Sequence, residues 1–191
     1  MTDVCDEALF QSTHAALVYA YSFSDQQYAP PPMVRLMRGG AVGSGKGLVG
    51  IDGAGQAGLI LAEVMQLETP SQAVLAARFS PHDLPCECGS RCCSGHKASA
   101  AWREAIDFLT AYVLKNVLTG CASHYRLRRA MVARLYGEKV TLQYVAERCG
   151  VPRDRAQDQN SKVSKHLQAV ERRAVEALDA RFKALNLVEG G

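Results

Sequence analysis

From Val163 to Leu185 the apolar residues Val163, Leu167, Val170, Ala174, Leu178, Phe182 and Leu185 recur every three or four positions without a break. That spacing puts them on one face of an α-helix for about six turns. A stripe of that length must be buried, on helices from elsewhere in the chain or on a second copy of itself. Only Leu167, Leu178 and Leu185 suit a strong coiled-coil seam, so packing within the chain is the expectation.

The same period marks helices upstream. Trp102, Ile106, Leu109, Val113 and Val117 predict a helix over 99–118, stopped by Thr119-Gly120. Ser123 is placed to cap a helix carrying Leu127, Met131 and Leu135, which Gly137 closes. Further helices are expected at Glu7 to Phe23, Ser71 to Arg78, Thr141 to Cys149 and from Arg153 onward. Pro30, Pro31 and Pro32 break the first of these. Gly39 to Gly58 holds nine of the sixteen glycines and reads as a loop around a short apolar segment, although Gln56 to Met65 resumes a helical pattern. Strands of any length are not expected. The fold class is therefore mostly α. Residues 1–98 form a helical N-terminal region with a Gly-rich and a Cys-rich loop. Residues 99–191 form a helical domain with a helix-turn-helix at about 141–168 and a long C-terminal helix.

A composition of 48% hydrophobic and 21% charged residues excludes the disordered and collagen-like classes. No apolar run approaches the ~18 residues of a membrane span, and the acidic start of the chain is unlike a signal peptide, so a cytoplasmic location without membrane contact is expected. The net charge of +3 hides an asymmetry: residues 121–191 carry 14 Lys/Arg against 8 Asp/Glu, and residues 1–120 carry 8 against 11. The basic half is where a polyanion would sit.

In Leu142 to Val151 the residues answer the demands of a helix-turn-helix. Ala146 is small where the second helix crosses, Gly150 tolerates positive φ in the turn, and Val145, Cys149, Val151 and Ala156 pin the helices together. Pro152 pre-sets the start of the second helix. Arg153, Arg155, Gln157, Gln159, Asn160, Ser161 and Lys162 are the polar residues able to face a groove. Arg reads guanine bidentately and Gln or Asn reads adenine, which makes Arg153, Gln157 and Asn160 the base-reading candidates. Arg155, Lys162 and Lys165 are assigned to phosphate, with Ser161 also a contact, and Asp154 and Asp158 are expected to pair with neighbouring arginines.

The run Gly150-Val151-Pro152-Arg153-Asp154-Arg155-Ala156, with Lys162, Lys165 and Leu167 after it and Thr141-Leu142, Val145-Ala146 before it, resembles the promoter-reading C-terminal helix-turn-helix of bacterial sigma factors. The resemblance covers about 30 residues. It departs at Gln159, where such modules carry an aliphatic core residue. No other sigma region is recognisable upstream. A cysteine cluster ahead of a sigma-like module resembles, more loosely, the Q-type late-gene antiterminators of temperate phages. That resemblance implies a non-enzymatic regulator that binds double-stranded DNA and contacts RNA polymerase in a bacterial host.

Between Pro85 and His96 stand Cys86, Cys88, Cys92, Cys93 and His96, with Gly89 and Gly95 allowing tight turns. In a chain without a secretion signal such a cluster favours a metal over disulfides. Structural Zn2+ takes four such ligands. Cys86, Cys88, Cys93 and His96 are the preferred set, with Cys92 a substitute and Cys121 or His124 alternatives from elsewhere. A metal-free loop and a redox switch are the competing readings. The deaminase signature is incomplete: Pro85-Cys86 is present, but His82-Asp83-Leu84 supplies no H-x-E. Gly40 to Gly47 misses the phosphate-binding loop by its final Ser/Thr, and Gly53 to Gly58 fits G-x-G-x-x-G without a supporting strand-helix series. A zinc- or nucleotide-dependent enzyme acting on nucleic acid is the alternative function.

Overall fold

A computed structural model describes residues 8–26, 51–86, 88, 90, 94–120 and 123–189. Among these are seven helices, α1 (Thr13–Gln26), α2 (Ile51–Met65), α3 (Thr69–Phe79), α4 (Ala100–Asn116), α5 (Tyr125–Leu135), α6 (Leu142–Arg148) and α7 (Arg153–Ala184). Two three-residue strands, β1 (Asp83–Pro85) and β2 (His96–Ala98), lie between α3 and α4. The chain is mostly α, as its apolar periodicity requires.

The long stripe is buried within the chain and divides between two clusters. Val163, Leu167 and Val170 join α4, α5 and α6 around Ile106, Leu109, Leu127 and Met131. Ala174, Leu178 and Phe182 join α1 and α2 around Leu17, Ile60 and Leu75. Helix α3 serves both, since Val74 and Ala77 face the first cluster and Leu75 the second. Leu185 is a correction: it is 45% exposed, because α7 ends one residue before it. Asn186 adopts φ +53, and the Leu187 N–H returns to the Phe182 carbonyl at 2.9 Å. This 6→1 closure turns the chain back and buries Leu187 and Val188 where Leu185 was expected.

Helix α1 begins later than its periodicity suggests, because the backbone before it is used elsewhere. Phe10 forms a parallel bridge with Val188; its N–H donates to the Leu187 carbonyl at 2.9 Å. Ser12 then caps α1 by accepting from the Ala15 N–H at 3.2 Å. Thr13 Oγ1 donates to Asp179 at 2.7 Å, which fastens this start to α7. The Lys183 ammonium 2.9 Å away, together with Thr13, holds the Asp179 carboxyl below its ordinary pKa.

Helix α2 corrects the glycine-rich loop, because Gly53, Gly55 and Gly58 lie inside a continuous helix. Glycine costs a helix about 1 kcal/mol relative to alanine. Burial of Ala57, Ile60 and Val64 against α1 and α7 outweighs that cost. The segment that matches G-x-G-x-x-G is therefore not a phosphate-cradling loop. Gly40 to Gly47 lies outside the described residues.

Candidate nucleic-acid interface

Helix α5 supports the two helices after it, and its own anchorage is polar as well as apolar. Its N-cap is His124 and not Ser123: His124 Nδ1 accepts from the Arg126 N–H at 3.2 Å. The Ser123 carbonyl instead accepts from Arg128 Nη1 at 2.7 Å, and Arg128 Nε donates to the Thr110 carbonyl at 3.2 Å. Thr110 can serve in this way from inside α4 because a carbonyl oxygen has two lone pairs. Burial pulls the Arg128 guanidinium below its ordinary pKa. This buried cation sews α4 to α5, and nothing in the apolar period announces it.

The junction of α6 and α7 gathers the residues that their spacing singled out. Leu142 and Ala146 are buried, Ala156 packs against them, and Val145, Cys149 and Val151 lie at the edge of the same cluster. Gly150 adopts φ +65. Its N–H reaches the Glu147 carbonyl at 3.1 Å, and the Val151 N–H reaches the Ala146 carbonyl at 2.9 Å. These two bonds satisfy the terminal carbonyls of α6 and swing the chain into α7. Pro152 sits at the N-cap of α7, one residue before its first helical position, and its carbonyl accepts from the Ala156 N–H at 3.0 Å. The Cys149 thiol lies 3.4 Å from His124 Nδ1, so the turn also leans on the start of α5.

A β-carbon at Gly150 meets nothing within 4 Å, so the backbone conformation is the first cost of a substitution there. Gly150→Val should cost on the order of 1–2 kcal/mol or more, and Gly150→Asn less, because Asn enters the left-handed region more readily. Thermal melting of the two variants checks the ranking. Equal melting of Gly150→Val and the wild type would mean that the positive φ is not required.

On α7, Arg153, Arg155, Gln157, Lys162 and Lys165 are exposed, and Asn160 and Ser161 are half-buried. Gln159 is a correction. It is only 3% exposed, and its Oε1 has no partner among the described residues. Its place three residues after Ala156 and four before Val163 puts it on the buried face whatever its polarity. The core position of the second helix is thus filled by an amide. Asp158 pairs with Lys162 at 2.8 Å and not with an arginine. Asp154 forms no ion pair among the described residues and lies in the first turn of α7, where the helix dipole favours a carboxylate.

No protein-family model matches the chain, and no curated protein proves similar to it.

The cysteine-rich segment lies in sequence between the paired strands β1 and β2. Pro85 pairs with His96 in the antiparallel ladder, and the Cys86 N–H donates to the Gly95 carbonyl at 2.8 Å, with Gly95 at φ +81. Cys86 and His96 therefore leave the same end of the ladder from opposite strands. Cys88 and His96 are exposed and Cys86 is half-buried. Cys92, Cys93 and the alternative ligand Cys121 lie outside the described residues, and among the described residues no three His, Cys, Asp or Glu side chains gather as a metal site. The base of the hairpin is held by the Ser99 N–H, which donates to the His82 carbonyl at 2.8 Å. Ser99 also caps α4 by accepting from the Trp102 N–H.

No described helix is long and apolar enough to cross a membrane.

Proposed function

We propose that the protein is a sequence-specific DNA-binding transcription regulator, with α7 as the helix that enters the major groove. The observation that carries this reading is the pairing of α6 and α7 through the Gly150 turn, with Arg153, Arg155 and Gln157 of the first turns of α7 left exposed. Leu127 and Met131 of α5 share a core with that pair, and Arg128 ties α5 in turn to α4. A helix presenting Arg, Gln, Asn and Lys on a rigid support is what direct readout needs. Among such regulators, the resemblance to sigma factors and late-gene antiterminators supports a phage-encoded protein that acts on DNA alongside RNA polymerase.

Selection from a randomised duplex pool should yield one preferred site. On that site Gln157→Ala should cost about 1–3 kcal/mol and relax the preference at one base pair, with little effect on random DNA. Lys165→Ala should weaken binding to both alike and lower the salt slope by about one. Identical losses for Gln157→Ala on selected and random duplexes would overturn base reading by α7.

The pairing of Pro85 with His96 supports a second element of the proposal, a structural zinc ion. The ladder brings Cys86 and His96 to one end, and Cys88 with Cys93 or Cys92 completes a thiolate-rich donor set suited to zinc. Its chemistry would be closure of residues 86–96, which have little apolar core of their own. Elemental analysis of protein purified without chelator should give about one zinc per chain. Cys88→Ser should lower both that content and the melting temperature, and a metal-free preparation with unchanged melting would remove zinc from the proposal.

A further inference from the structure

The last turn of α5 and the first turns of α6 and α7 enclose a cleft of about 340 Å3. Leu142, Ala146 and Ala156 floor it, and Arg134, Thr141 and Arg153 contribute polar walls. Among the described residues no carboxylate lines it. Among the described residues neither Arg134 nor Arg153 takes part in an ion pair. Thr141 stands at the N-cap of α6, yet its hydroxyl makes no capping bond there. Two guanidinium groups from different helices thus border one cavity with no internal counter-charge, which is an arrangement that an anion completes. Guanidinium forks match the paired oxygens of phosphate better than they match a spherical anion.

We infer that this cleft binds one phosphate group, held between Arg134 and Arg153 with the Thr141 hydroxyl as a third donor. The backbone of bound duplex is one source of that phosphate, and for this source the inference rests on the DNA-binding reading. A free nucleotide offers the same chemistry. In either case Arg153 is a phosphate ligand and not a base reader, which leaves base recognition to Gln157 and Asn160. The contact fixes the depth and register of α7, because Arg134 belongs to a different helix from the residues that read bases.

Two measurements test the inference. In the first, the selected duplex carries a single uncharged methylphosphonate at each backbone position in turn. One position should cost the wild type roughly tenfold or more in affinity, the scale of a charged hydrogen-bond contact. Arg134→Gln should bind the unmodified duplex more weakly by a similar factor and be indifferent to that methylphosphonate. Its melting temperature should be unchanged, since Arg134 is exposed. In the second, adenosine monophosphate is titrated into the free protein, and the amide resonances of Thr141 and Arg153 are followed in wild type and Arg134→Gln. Shifts confined to the wild type support the cleft even if no duplex is selected, an outcome that would defeat the DNA reading alone. If DNA binds specifically while Arg134→Gln matches the wild type in affinity and in methylphosphonate sensitivity, the cleft falls and the DNA reading stands. If the pool selects no duplex and the nucleotide shifts nothing, both fall.

Discussion

Gly137→Ala should be among the most damaging small substitutions in the molecule, lowering stability by about 2–4 kcal/mol through two separate costs. Gly137 follows α5 with φ +101, outside the conformations that side chains accept readily. A β-carbon built there would lie 2.8 Å from His82 Cε1. The imidazole has little room to retreat, because its other neighbour is the Trp102 ring at a centroid separation of 4.7 Å. For a chain of this size the expected fall in melting temperature is roughly 5–15 °C. Gly120 provides the control: it has φ +75 and nothing within 4 Å of a β-carbon, so Gly120→Ala should show the backbone cost alone. In the double variant His82→Ala/Gly137→Ala the steric part should disappear, and a coupling energy near zero would show that the imidazole yields freely.

Phe182→Ala should cost about 3–5 kcal/mol, although it lies far along α7 from every proposed DNA contact. Its side chain is fully buried among α1, α2 and the end of α7. Its carbonyl also accepts the Leu187 N–H that reverses the chain. Leu185→Ala, three residues on and exposed, should stay within about 0.5 kcal/mol of the wild type. Denaturant unfolding of both variants measures the difference. Similar effects would mean that the stripe is buried in some other way, as in a pairing of two α7 helices.

What could be read from the sequence follows from how local each feature is. Ala146, Gly150 and Ala156 lie within eleven residues, and their spacing alone describes a turn between two packed helices, so the left-handed Gly150 and the buried alanines are legible in the sequence. Gln159 was not, because its chemistry argues for the surface and only its place between Ala156 and Val163 argues for the core. Position decides the matter, since α7 is fixed in rotation by six other buried residues of its stripe. The helix through Gly53, Gly55 and Gly58 was hidden for the opposite reason: local propensity favours a loop, and the packing that overrides it comes from α1 and α7. The start of α1 depends on Val188, at the far end of the chain, and no local pattern carries that information. His124 and Ser123 are adjacent and both able to cap, so only the Arg128 bond to the Ser123 carbonyl separates their roles. Three-residue strands are too short to show a period, so the pairing of β1 with β2 leaves no mark in the sequence.

Helix α7 has 32 residues, which makes it a rod of roughly 48 Å gripped by a different core at each end. Each residue of such a rod advances it by about 1.5 Å and turns it by about 100°. The azimuth of the α1–α2 body around α7 is therefore set by the count of residues between Val170 and Ala174. One residue inserted there would swing one apolar face a quarter-turn or more out of phase, so both clusters could not close on the same helix. The α1–α2 body is thereby clocked, in angle as well as distance, to the α4–α6 body at the other end of the rod.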